Sequence, residues 1–171
     1  MSVVPDELLR LVNTGKLRGW AGLPSLSVAD LTVTFPRDSD WSGIAYLGLR
    51  HREAHYFWAQ VPGADRKLRA WFEIDRVVLL DFPCSDFLHT RPDELPDLLA
   101  EVPTPLDTWL GTLPMSRSQL VFPGKGLTAF VNPETQSIWH LALWPPQPLR
   151  DYVDNLQIDM RVRRHPRGRW W

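Results

Sequence analysis

The sequence predicts an α+β fold in which two related antiparallel β-meanders form a sheet, flanked by helices at the N- and C-terminal ends. Three observations carry this expectation. The first is a recurrence: Val61-Pro62-Gly63, Leu68-Arg69-Ala70-Trp71-Phe72 and Val77-Val78-Leu79-Leu80-Asp81-Phe82 return as Phe122-Pro123-Gly124, Leu127-Thr128-Ala129-Phe130-Val131 and Ile138-Trp139-His140-Leu141-Ala142-Leu143. The offset is 61 at the Pro-Gly turn and at the last arm and 59 at the middle arm, so two short turn-length changes compensate, as in a duplicated β unit. The second is alternation within the arms, which sets Leu68, Ala70 and Phe72 on one side and Arg69, Trp71 and Glu73 on the other, a core face and an amphipathic face. The third is helical spacing of apolar residues near both ends of the chain.

In chain order, Pro5 to Val12 predicts a short helix: Pro5 stands near its first position, Asp6 and Glu7 complement the dipole, and Gly15 terminates it. Gly22, Pro24, Pro36 and Gly43 then punctuate an irregular stretch with an expected strand at Leu31 to Phe35. Ile44 to Arg50 and Glu53 to Val61 predict paired strands that lead into the first copy of the repeat, about residues 53–83. Glu73 to Arg76 lacks Gly or Asn, but its counterpart Asn132-Pro133-Glu134-Thr135 has the residues of a type I turn, so a turn is expected in both copies. Pro83 to Pro114, rich in proline, predicts a connector holding only short helices, with Thr104-Pro105-Leu106-Asp107 as a capped helix start and Gly111 as its stop. The second copy spans about residues 119–145, and Leu149, Tyr152, Val153 and Leu156 space out a final helix. Over residues 44–145 this arrangement resembles the tandem helix-plus-meander plan of bacterial inhibitor proteins such as the β-lactamase inhibitors; the likeness is one of arrangement, and no residue carries over.

With 171 residues the chain makes one domain, taken as 1–160, that buries roughly 70% of its unfolded surface. The single cysteine excludes an intramolecular disulfide, no N-terminal stretch has signal-peptide character, and no apolar run approaches the ~20 residues of a membrane span. A cytoplasmic protein without membrane association is expected. The formal charge of −1 conceals an asymmetry, because Arg161, Arg163, Arg164, Arg167 and Arg169 all follow the last acidic residue, Asp159. Residues 161–171 are expected to be a mobile basic tail, whose Arg, Trp170 and Trp171 also suit single-stranded nucleic acid.

Candidate chemistry is sparse. His51, Glu53 and His55 offer metal-ligand types, but not in the His-Glu-x-x-His order of a helical zinc motif, and a solvent-facing strand edge is the simpler reading. Cys84 with Ser85, Asp86 and His89 has the types of a thiol site but no glycine-rich oxyanion turn, and it follows an apolar strand as a buried cysteine would. Neither Pro-Gly turn has phosphate-loop spacing. No catalytic residue, metal or cofactor is therefore assigned. Nine tryptophans and an acidic body point instead to interface anchors, and the expected function is a non-enzymatic protein-binding module, an immunity or inhibitor protein that neutralises a toxin or enzyme. Trp71, Glu73, Asp75, Trp139 and His140 are the expected partner-binding residues; His140 stands where the first copy has Leu79. The alternatives are a small enzyme using His51, His55 or Cys84, and a nucleic-acid binder working through the tail.

Overall fold

The structure, a computed structural model, describes residues 4–83, 87–110, 113–132 and 134–158. Cys84, Pro133 and the basic tail lie outside them. Among the described residues, eight strands form one antiparallel sheet: β1 (Arg37–Leu47), β2 (Arg52–Gln60), β3 (Lys67–Glu73), β4 (Arg76–Phe82), β5 (Thr104–Leu110), β6 (Leu113–Phe122), β7 (Leu127–Asn132) and β8 (Ser137–Leu143). Their order is β1-β2-β3-β4-β8-β7-β6-β5. Each half runs through consecutive neighbours, and the halves meet at β4 and β8 through the pairs Leu80–Leu143, Asp81–Ala142 and Phe82–Leu141. The β3–β4 and β7–β8 pairings each slip once, after Trp71 in β3 and after Phe130 in β7. As a result His140 faces Phe130 as Leu79 faces Trp71, and Ala142 faces Thr128 as Asp81 faces Arg69.

Among the described residues four α-helices accompany the sheet: α1 (Asp6–Thr14), α2 (Val28–Thr34), α3 (Leu95–Leu99) and α4 (Leu149–Asn155). Leu8, Leu11 and Val12 of α1, Leu31 of α2 and Leu95 and Leu99 of α3 join Phe57, Leu68, Leu80, Phe122, Leu127 and Leu141 in one core. Gly15 ends α1 at φ 68°, and a Cβ there would come within 2.0 Å of the Phe87 carbonyl oxygen, so only glycine fits. The opposite face packs Trp71, Leu79, Phe130, Ala142 and Trp144 with Tyr152 and Leu156 from α4 and its end. Tyr152 stacks on Trp144 at 4.3 Å, and Trp144 donates its indole N–H to Thr128 Oγ1 at 3.1 Å.

Two expectations change. Leu31 to Phe35 is not a strand: Leu31 to Thr34 lie in α2, and Phe35 is the residue that ends it. Ser27 Oγ accepts the Asp30 N–H while Asp30 Oδ2 accepts the Ser27 N–H, a capping box that satisfies two donors of the first turn and outweighs the β-branched residues behind it. Thr104 to Asp107 begins not a helix but edge strand β5, which pairs with β6 from Thr104–Val121 onward. Pro105 is tolerated there because an edge strand leaves one row of N–H groups without ladder partners. Ser27→Ala should lower stability by about 1 kcal/mol, a loss of roughly 2–4 °C in Tm for a domain of this size, read by a circular-dichroism melt.

Candidate functional site

The five expected partner-binding residues fall in two places. Trp71, Trp139 and His140 belong to the sheet face that α4 covers. Trp71 is 4% exposed and His140 3%, with Trp139 half-buried. The expectation that Trp71 faces outward is corrected: alternation separates two faces of a strand, and here both faces are packed.

At the centre of this face lies Asp81, fully buried beside the join of β4 and β8. Its carboxylate accepts from Arg69 Nε at 3.1 and 3.2 Å, from Arg69 Nη2 at 2.9 Å and from the Trp71 indole N–H at 2.7 Å. The Arg69 guanidinium also lies 4.8, 5.4 and 5.6 Å from the ring centroids of Trp71, Trp58 and Tyr56. An aromatic surround and a forked carboxylate pair are what a guanidinium needs to leave water. His140 Nε2 is 3.7 Å from Asp81 Oδ1, beyond hydrogen-bond reach, and this buried nitrogen has no hydrogen-bond partner among the described residues. Burial pushes the His140 imidazole below its ordinary value of 6.5; the Asp81 charge opposes that effect and the Arg69 charge adds to it. At neutral pH His140 is therefore uncharged, and the Asp81 charge is paired with Arg69. The group is a fixed internal ion pair with a neutral imidazole beside it.

Glu73 and Asp75 lie instead at the tip of the β3–β4 hairpin. Glu73 pairs with Arg76 across a two-residue turn, Ile74-Asp75. Ile74 has φ 57° and is 100% exposed. The left-handed region costs a β-branched residue about 1–3 kcal/mol. The turn is pinned from behind: the Val28 N–H donates to the Asp75 carbonyl at 2.8 Å, the Val77 N–H donates to the Leu26 carbonyl at 2.9 Å, and Ser27 bridges Arg76. Two adjoining clefts flank the tip. One, about 520 Å³, is lined by Ser25, Leu26, Ser27, Asp75 and the side of Ile74; the other, about 260 Å³, by Arg52, Gln147, Asn155 and Leu156. Glu73, Arg76 and Val78 line both. Arg52 donates to Glu73 Oε2, while the buried Glu73 Oε1 has no hydrogen-bond partner among the described residues. Ile74 was missed by sequence reasoning, although the signal was present: a tight turn without Gly or Asn forces some other residue into the left-handed region.

The remaining candidates are dispersed. His51 sits in the β1–β2 turn at φ 52° and His55 on β2 with its ring 5.7 Å from Phe72, both exposed. Among the described residues no three His, Cys, Asp or Glu side chains are grouped to hold a metal ion, and no helix is long and apolar enough to cross a membrane.

Because the unfolded chain takes up the His140 proton at a higher pH than the folded one, the stability His140 contributes is present above about pH 6.5 and is lost as pH falls from there through the lowered folded value. His140→Leu, which installs the residue that the first half carries at Leu79, should flatten this acid-side loss between pH 7 and 5, measured as the shift of urea midpoints relative to the unaltered chain. Comparison of the chain with protein-family models, with curated proteins and with solved structures finds no match in any of the three.

Proposed function

We propose that the chain is a non-enzymatic protein-binding module, of the immunity or inhibitor kind expected from its composition, and that it grips its partner with the tip of the β3–β4 hairpin. The observation that carries this reading is Ile74, a fully exposed β-branched side chain held in a strained conformation. Asn or Gly at this position would relieve the strain, so a fold serving stability alone gains nothing from isoleucine. A partner pocket does gain: full burial of an isoleucine side chain contributes roughly 1.5–3 kcal/mol, enough to offset the strain. Glu73, Asp75 and Arg76 around it supply the polar rim of such a contact.

The comparison between the two halves supports the same reading. We take them as related copies, on the recurrent sequence and on the pairing slip that each carries after its aromatic residue. In the second half Asn132 Oδ1 accepts from the N–H groups of Glu134 and Thr135 at 2.9 and 3.3 Å, so that turn is held by its own side chain. The first half has no such residue at its tip and presents an apolar one.

Stability and binding should therefore move in opposite directions in Ile74→Gly. The variant should melt roughly 2–4 °C higher, for about 1 kcal/mol of strain removed, and should hold its partner at least about tenfold more weakly, the equivalent of ~1.4 kcal/mol. The test is affinity capture by both chains from nuclease-treated lysate of the source organism, with the affinity of the captured partner then measured for each. A stoichiometric partner held equally by both chains, or no stoichiometric protein partner at moderate salt, overturns the reading.

A further inference from the structure

We propose that β1 is a self-association edge, along which two copies of the chain pair antiparallel about Ala45 to continue the sheet from eight strands to sixteen. Among the described residues, the strand order leaves β1 with β2 on one side and no strand on the other. The regular part of β1 begins after its irregularity between Arg37 and Ser42, and Ser42-Gly43-Ile44-Ala45-Tyr46-Leu47 contains neither a charge nor a proline. A charge or a proline is among the devices that keep an edge from adding a strand, and the irregularity of β1 lies before this segment. The opposite edge, β5, has them, with Pro105 inside it and Asp107 exposed. Ile44 and Tyr46, two apart and therefore on one side of the strand, are each about half exposed, as is Leu49 just beyond; they are three of the six large apolar side chains exposed among the described residues.

The occupant is a second copy because the edge is complementary to itself. In an antiparallel pair centred on Ala45, Ile44 stands opposite Tyr46 of the second copy, and Tyr46 opposite its Ile44. Two aromatic–β-branched cross-strand pairs form, each contributing roughly 0.2–1 kcal/mol. Centring the pair on Ile44 instead would set Tyr46 against Ser42 and form neither. The chain already contains a joint of this kind, since β4 and β8 join the two halves edge to edge through three residue pairs. Six residues of strand bury less than the ~1,600 Å² of a standard interface, which places the dimer in the weak, concentration-dependent class.

The proposal is tested on the full chain by sedimentation velocity from about 1 to 500 µM, with a dissociation constant in the micromolar range expected for so small an interface. Ile44→Lys and Tyr46→Lys, which install the edge-blocking charge, should each weaken dimerisation at least about tenfold without lowering Tm. Ala45→Cys in a Cys84→Ser background should cross-link to itself under mild oxidation, and Ser42→Cys in the same background should not. A monomer throughout the concentration range, a dimer that the lysine variants leave intact, or cross-linking at 42 in place of 45 would each overturn it.

Discussion

The two halves of this sheet are held together by a short antiparallel seam, Leu80–Leu143, Asp81–Ala142 and Phe82–Leu141, and most of the structure is arranged to support it. Three residue pairs supply few backbone hydrogen bonds, each of small net value once water is counted. The seam therefore depends on what packs above and below it. On one face Leu80, Phe82, Leu141 and Leu143 sit in the larger core with α1, α2 and α3. On the other, Ala142 packs with Trp71, Leu79 and Phe130, and the indole of Trp144 carries the stacked Tyr152 of α4. Burial is so complete here that the Tyr152 hydroxyl is pushed well above its ordinary ionisation range.

A buried carboxylate beside such a seam is costly unless fully paired, and the neighbourhood of Asp81 is built for that purpose. Arg69 forks onto both oxygens and Trp71 donates to one of them. An apolar pair of equal volume could serve stability as well. What the ion pair adds is register: Arg69 and Asp81 face each other across β3 and β4, so a slip of one residue in that hairpin would leave a buried charge without its partner. The second half has Thr128 and Ala142 at the corresponding places and uses the Thr128 hydroxyl to receive Trp144. One half thus fixes its strand alignment by charge, and the other serves as the platform for α4.

Much of the fold was legible because its signals are local. The 3–4 spacing of Leu8, Leu11 and Val12 and the stop at Gly15 act within α1 itself, and the period-two arms of β3, β4, β7 and β8 show which residues share a face. Misreadings arose where two local signals compete. Ser27 and Asp30 form a capping box ahead of a β-branched stretch, and hydrogen bonding at the helix start prevailed over propensity. Thr104-Pro105-Leu106-Asp107 has the form of a helix start, but β6 claims it as a strand. The candidate site divides in the same way. Glu73 and Asp75 could be placed at a turn from sequence, whereas Ile74 becomes informative only through its φ and full exposure. Trp71 reads as outward because alternation cannot reveal that α4, nearly eighty residues further along, returns to cover its face.

The seam also has a consequence during synthesis. β4 is complete at Phe82, but its partner β8 begins only at Ser137. At ordinary elongation rates of about 5–20 residues per second, several seconds separate the two. During that interval the first half has an open, apolar edge on the ribosome, the kind of surface that recruits a neighbouring nascent chain. Asp81 lies on that edge. Before β8 arrives its carboxylate can remain hydrated, and any foreign strand laid against β4 must desolvate it. Asp81, a fully buried charge once β8 has paired, is for those seconds the guard of that edge.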